Sequence, residues 1–331
     1  MINIITNKKI FNKSNGHSYR LISMTEISSS LRLFNLEDAG DMENKNKIIV
    51  DIPGVSFLQL LRLRKFGNID YVFLQDSLGV FFLNKLVFLF TAENISFLFI
   101  KTLFLFVKYG INEFLICVFF KKIGLVSKSD YLFEKMFRNK YFLVENGINQ
   151  ECFGLYHKKP NSEFINFFFW GNLSYPPNFD SILFFLKKYW GGIKKEFPNA
   201  LFNIYGVNND KLKLIVQNYN GVILKGKFNN YSELLENDIF INLVEYGAGM
   251  KNKTLEAVAC NIPMITTPHS IDGIDILKNY RYKYKNNKDL FFCINDILSS
   301  ENFSYGQFIE DEISKFTWEN STSNYIKNIL K

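Results

Sequence analysis

Residues 245–268, EYGAGMKNKTLEAVACNIPMITTP, set two glycines, two lysines and one glutamate between apolar runs. Gly247 and Gly249 let backbone N–H groups approach a bulky anion. A helix starting near Asn252 would point the positive end of its dipole at the same place. Lys251 and Lys253 add two mobile cations, so the stretch has what a diphosphate needs. Glu256, about one turn into that helix, is ill placed for phosphate but well placed to accept hydrogen bonds from a sugar diol such as ribose. The same residues also read as an ordinary β-to-α turn with solvated lysines and a surface glutamate.

Other polar residues stand where strands should end. Asn172 closes the run FINFFFWGN, Lys227 and Phe228 follow GVILKG and would border a base, and His269 follows PMITTP. In the first half, Asn15-Gly16-His17 forms a turn after the first strand, with His17 as a candidate base. Asp76 ends the run DYVFLQDS, and Glu93-Asn94 interrupts two Phe-rich segments. Each of these also has a plain reading as a cap or loop residue. His157 falls in a presumed linker and receives no role.

These positions need a scaffold that presents strand ends. From Glu163 onward, strand-like and helix-like segments alternate: FINFFFWGN, a helix over 178–197, ALFNIYG, GVILKGKF, DIFINLVEY and PMITTP. This is the rhythm of a parallel sheet with helices on both faces. The first half repeats it less cleanly, through NIITN, a helix-like HSYRLISMTEISSSL, KIIVDIP, DYVFLQDS, IGLVSKS and KYFLVENGI. Periodicity lapses between Gly147 and Pro160, which marks a junction. In such sheets ligands bind beyond the carboxyl ends of the strands.

The chain has 331 residues, enough for two cores, and is 47% hydrophobic. Its four cysteines include no C-x-x-C pair, so neither a disulfide framework nor a thiolate zinc site is expected, and a reducing cytoplasm fits. The N-terminus reads as a strand rather than a signal peptide. Of the net charge of +7, most sits in residues 1–150, with 19 Lys/Arg against 13 Asp/Glu. The pI is about 9.0, but no nucleic-acid recognition motif accompanies it, and no nucleic-acid partner is expected. Residues 81–120 hold 11 of the 36 phenylalanines. The longest low-charge stretch there, 94–107, falls short of the roughly 20 residues that a bilayer requires. Two readings of it stand: a buried helix, or an interfacial surface with Lys85, Lys101, Lys108, Lys121 and Lys122 alongside, facing an anionic membrane.

The opening stretch resembles the glycosyltransferases of the GT-B fold, family 4-like (group 1), whose signature pairs a glycine-rich turn with a helix carrying E-A-x-A-x-x-x-P. Here that is Glu256-Ala257-Val258-Ala259-Cys260-Asn261-Ile262-Pro263. The G-A-G-x-K-N-K form of the turn, Gly247 to Lys253, is similar to one bacterial branch. FWGNLSYPPNFDSILFF, TTPHSIDGI and FTWENSTSNYI follow the branch in order, whereas the first half matches loosely through KSNGHSYR, DYVFLQDS, TAENIS and VENGIN.

The resemblance implies an α/β protein of two Rossmann-like, doubly wound domains facing a cleft. An acceptor domain would span 1–150, a nucleotide-sugar domain 151–310, and a helix over 311–331 would return to the first. It implies donor binding by Gly247, Ala248, Gly249, Met250, Asn252, Thr254, Glu256, Asn172, Lys227, Phe228 and His269. Catalytic work would fall to Lys251, Lys253, Asp76 and His17, and acceptor binding to Asn15, Gly16, Glu93 and Asn94.

The implied reaction is transfer of a sugar, as by a hexosyltransferase, from a nucleotide-sugar donor to a glycan or lipid-linked acceptor in bacterial surface polysaccharide synthesis. Retention of configuration is implied, with no metal and no cofactor, in the cytoplasm or on the inner face of its membrane. One departure bears on the donor sugar: where many relatives carry a first glutamate, this chain has Ala248, with Glu245 three residues earlier. Two other classes share the pattern, namely a catalytically weak partner subunit or nucleotide-sugar-binding protein, and a UDP-sugar epimerase.

Overall fold

Among the described residues eleven short strands, most of them buried apolar runs, pair side by side in the same direction and form two separate sheets. The computed structural model describes residues 2–6, 16–35, 47–52, 54–67, 69–92, 97–155, 163–207, 209–300 and 303–330.

The first sheet contains β1 (Ile2–Thr6), β2 (Leu31–Asn35), β3 (Lys47–Asp51), β4 (Ile69–Gln75), β5 (Lys122–Leu125) and β6 (Tyr141–Leu143), in the order β2-β1-β3-β4-β5-β6. All five pairings are parallel. Around it lie α1 (Gly16–Ile27), α2 (Phe57–Leu63), α3 (Leu78–Thr91), α4 (Phe97–Phe119) and α5 (Glu134–Phe137). One face packs a core of Val50, Leu60, Val72, Ile116 and Ile123. The other packs Ile4, Leu21, Phe73 and Val144 against Tyr325 and Ile329 of the last helix.

The second sheet contains β7 (Asn166–Trp170), β8 (Leu201–Tyr205), β9 (Val222–Gly226), β10 (Ile239–Asn242) and β11 (Met264–Thr266), in the order β11-β10-β7-β8-β9, again all parallel. Its helices are α6 (Pro176–Phe185), α7 (Gly191–Glu196), α8 (Asp210–Val216), α9 (Asn252–Ala259), α10 (Asn287–Ser299) and α11 (Gln307–Ile313). A π-helical turn at Leu186–Trp190 joins α6 to α7. Phe167, Phe168 and Phe169 run fully buried through β7, as expected of a central strand covered on both faces.

The chain divides into two compact units. The first is Met1–Gly147 with Gly247–Met250 and Phe316–Lys331; the second is Ile148–Tyr246 with Lys251–Lys315. The C-terminal helix α12 (Trp318–Leu330) therefore belongs to the first unit, where it packs on α1. A Cβ on Gly147 would come 2.5 Å from the Trp318 backbone nitrogen, so that contact demands glycine.

Strand order places a switch point in each sheet. From β7 the chain steps outward to β8 and β9, then returns to the other side of β7 for β10 and β11; in the first sheet the reversal lies between β1 and β3. In open parallel sheets such a point, at the carboxyl ends of the strands, is where ligands bind.

Three sequence expectations change. The helix read across 17–31 ends at Ile27, and Leu31–Asn35 forms the edge strand β2. Gly16, expected in the loop before that helix, opens α1. The Phe-rich stretch, read as too short to span a bilayer, contains the 23-residue α4, which by length and composition alone is long and apolar enough to cross one.

Candidate functional site

In the second unit, α9 starts at the carboxyl end of β10, beside the end of β7, so its first turn faces the switch point. Apolar Leu255 and Val258 share one face of the helix and leave Lys253 and Glu256 on another. Thr254 locks the phase: its hydroxyl donates to the Ser270 carbonyl at 2.7 Å and accepts from Asn242 Nδ2 at 2.7 Å. Expected among the donor-binding residues, Thr254 is instead fully buried with its hydroxyl committed to this brace.

Lys253 reaches back over β7. Its amine donates to Asn178 Oδ1 at 2.8 Å and lies 4.2 Å from the centre of the Phe169 ring. A Cβ on Gly171 would come 2.9 Å from Lys253 Nζ, so the glycine after β7 makes room for the cation. Burial pulls the Lys253 amine down to about 7, with the nearby Glu256 pulling more weakly the other way. A lysine poised near neutrality, with an apolar ring below it, gains most by meeting an added anion.

Glu256 lies one turn along. Trp170 Nε1 donates to its Oε2 at 3.4 Å, and the Tyr231 hydroxyl also donates to it. Burial raises its carboxyl above the ordinary range, while those two donors and Lys253 pull it back. Tyr231 in turn stacks edge-on with Phe228, ring centroids 5.5 Å apart, and Phe228 meets Tyr205 at 6.4 Å. Phe228 and Glu256, far apart in sequence, are thus joined through one tyrosine. Lys227 is exposed on the same loop.

Asn172 is exposed and shapes the loop after β7: its side chain accepts from the Ser174 amide at 3.0 Å and its carbonyl accepts from Asn178 Nδ2 at 2.9 Å. His269 sits where β11 ends. Burial, helped by the charge of Lys251, drives its imidazole down to about 3, so it is neutral at physiological pH, and its Nε2 is buried without a hydrogen-bond partner. Lys251 caps α9, its carbonyl accepting from the amides of Thr254 and Leu255, and Asn252 is the helix's first residue.

Glu245 takes a different environment. Its amide donates to Ser181 Oγ at 3.0 Å, and burial raises its carboxyl to about 7, with Lys188 pulling it down.

The glycine turn belongs to the first unit. Asn84 Nδ2 donates to the Gly247 carbonyl at 2.8 Å, and the Gly249 amide donates to Asp130 Oδ2 at 2.9 Å. Expected to offer its N–H to an anion, Gly249 has that group engaged by a carboxylate. Its φ of +75° is the conformation that glycine alone adopts cheaply. Ala248 and Met250 are half-buried, Met250 against the core beside Phe73 and Tyr325.

Asp76 is exposed at the turn after β4, where Gln75 has a strained φ of +65°. A Cβ on Gly249 would come 2.0 Å from Asp76 Oδ1, so the carboxylate lies against the glycine turn. Beneath it, Ser77 caps α3; its amide donates to Asp130 and its hydroxyl to Glu113 Oε2 at 2.7 Å. Glu113 also accepts from the Gly79 amide at 2.9 Å, and burial raises it to about 7.

Among the described residues no group of His, Cys, Asp and Glu is arranged to hold a metal ion. Asn15, Glu93, Asn94 and His157 lie outside the described residues, and of His17 only the backbone is described.

Sequence reasoning missed Trp170, Asn178, Tyr231 and Asp130. Only Trp170 left a signal, as the last apolar residue before the Gly-Asn that ends its strand. Cys152 and Cys260, distant in sequence, are buried hydrogen-bonding neighbours, and both are free thiols.

Residues 165–293 match the family described as glycosyl transferases group 1. No curated protein matches the sequence significantly. Solved structures match over nearly the whole chain at low identity. TarM is 15% identical with a TM-score of 0.59, covering 94% of this chain and 58% of its own, so this chain spans less than two thirds of TarM's length. A mutant of S. aureus TarM is known in complex with fondaparinux, alpha-GlcNAc-glycerol and UDP. Anabaena HepE, in complex with UDP and glucose, is 10% identical with a TM-score of 0.65, covering 100% of this chain and 99% of its own. An E. coli trehalose-6-phosphate protein bound with UDP-2-fluoro glucose is 10% identical with a TM-score of 0.64, covering 99% of each chain. These likenesses show the fold, which is the two-sheet α/β architecture of the GT-B glycosyltransferases.

Proposed function

We propose that the chain is a glycosyltransferase that moves a hexosyl group from a nucleotide-sugar donor to a glycan or lipid-linked acceptor in bacterial surface polysaccharide synthesis. One observation carries the reading: within the stretch that matches the group 1 family, Lys253 and Glu256 stand side by side at the second sheet's switch point, with a wall of aromatic rings beside Glu256. A diphosphate wants the cation, a ribose diol wants the carboxylate, and a base wants a ring such as Phe228. The nucleotides bound to the similar HepE and E. coli proteins, UDP and UDP-2-fluoro glucose, have this composition.

In the reaction the bond from the anomeric carbon to the diphosphate oxygen breaks, and a bond to the acceptor oxygen forms. Positive charge spreads over the sugar ring while negative charge collects on the leaving diphosphate. Lys251, Lys253 and the amino end of α9 would stabilise that charge without a metal. Neutral His269, with Nε2 unengaged, would contact the sugar. Asp76 would take the acceptor's proton. Retention of configuration belongs to the same reading and rests on the family resemblance.

A second reading has its own observation. Ala248 replaces the first glutamate of the resembling family, and Glu245 is held beside Ser181 and Lys188. A partner subunit that binds donor without turning it over fits both facts. Thermal shift against UDP-, GDP-, ADP- and CMP-sugars, followed by donor hydrolysis with the stabilising ligand, tests the two together. Stabilisation with hydrolysis supports the enzyme, stabilisation without hydrolysis supports the partner subunit, and no stabilisation by any of the four defeats both.

A further inference from the structure

Helix α4 is apolar on nearly every side, yet it is not a core helix. Its inward face is fixed by Ile116, Cys117 and the buried Glu113, whose carboxyl holds the start of α3. Its outward face carries Phe97, Ile100, Phe104 and Ile111 at spacings of three, four and seven, exposed at 79%, 66%, 69% and 57%. On the neighbouring α3, Val87 and Phe90 are also exposed, at 59% and 67%. An apolar surface this continuous is out of place facing water. Lys101 and Lys108, one heptad apart, are exposed along the flank of the same face. An open groove of about 320 Å³, lined by Phe106, Gly110, Phe114 and Phe133 among others, continues from Ile111.

We propose that this α3–α4 face docks on a bilayer surface containing anionic lipid, with α4 lying in the interface rather than crossing it. The physical grounds are three. Glu113 and its Ser77 and Gly79 donors tie the inner face into the first unit, and pulling them into hydrocarbon would strand a buried carboxyl. The outer face joins bulky apolar side chains to flanking lysines, the composition of an interfacial helix. The first 150 residues carry the chain's basic excess, complementary to an anionic leaflet. The groove beside Ile111 has the wholly apolar lining that an acyl chain requires.

Flotation of the full chain with vesicles of phosphatidylcholine, with and without about a third phosphatidylglycerol, is the test. Binding is expected only to the anionic vesicles, and it should weaken as salt rises. Ile100→Ser with Phe104→Ser should weaken binding at least tenfold by removing buried apolar area. Lys101→Ala or Lys108→Ala should each weaken it about fivefold and flatten the salt dependence. All four side chains are exposed, so an unchanged melting temperature will show that the variants fold. No flotation at low salt overturns the proposal, as does equal binding by the serine variant. Protein that resists alkaline extraction from vesicles would show a spanning helix, and a dimer dispersed by the serine variant with no vesicle binding would show a protein interface. Either result also overturns it.

Discussion

Replacing Lys253 with Met should make the protein more stable and, at the same time, a poorer nucleotide binder. In the folded chain burial lowers the Lys253 amine from 10.5 to about 7. At about 1.4 kcal/mol per pH unit, carrying that proton costs at most about 5 kcal/mol of folding free energy near neutral pH. The hydrogen bond to Asn178 and the contact with the Phe169 ring offset roughly 1 kcal/mol each. Methionine has nearly the same length and needs no proton, so the net gain is about 3 kcal/mol, or about 6–12 °C in melting temperature.

The sign with pH follows from the folded pKa lying below the unfolded one. The unfolded chain holds the extra proton between about 7 and 10.5, so the penalty is full below about 7 and fades as pH rises towards 10.5. The advantage of the methionine variant should shrink across that window. Nucleoside diphosphate affinity should meanwhile fall about 10- to 100-fold, the loss of a charged hydrogen bond of roughly 1.5–3 kcal/mol. Wild-type affinity should itself decline as pH rises above about 7 and Lys253 loses its proton. Urea denaturation at several pH values, with calorimetric titration of the nucleotide, reads both quantities. A variant that is less stable at every pH and binds nucleotide normally would make Lys253 a structural residue and refute the reasoning.

Three further outcomes are expected. Glu256→Gln should weaken nucleoside diphosphate binding by about 10- to 100-fold if its carboxylate accepts the ribose diol; unchanged affinity in calorimetry would leave Glu256 as a brace for Trp170 and Tyr231. Gly249→Ala should cost about 1–2 kcal/mol through its positive φ and push the Asp76 carboxylate aside, so turnover should drop further than the melting temperature suggests; full turnover would remove Asp76 from the reaction. Glu113, raised by burial from 4.5 to about 7, stabilises the fold fully below 4.5 and loses that contribution as pH rises through about 7. Glu113→Gln should therefore flatten the stability profile over that range in denaturant titrations, and an unaltered profile would show that the carboxyl is not the titrating group.

The residues from Gly247 to Pro263 gave the sequence reading its strength, because the demands of that turn and helix are local. A glycine is needed where φ is positive, a helix must start after a strand, and its apolar side must repeat with the helical period, so residue types alone announce the plan. The alternating segments beyond Glu163 were legible for the same reason: the inner strands β7, β8 and β10 are buried almost throughout, and only the edge strand β9 alternates between half-buried and exposed positions.

What the sequence left open are the meetings between distant segments. Trp170, Tyr231 and Asn178 reach Glu256 and Lys253 only because strand order brings the ends of β7 and β10 together, and the lysine's lowered pKa comes from that burial rather than from its neighbours in the chain. The Gly249 amide looked available in sequence until tertiary packing set Asp130 against it. Helix α4 is the sharpest case. Being apolar on almost every side, it has no periodic mark of an inside and an outside, so only the buried partners of Glu113 decide which phenylalanines face the core and which face outward.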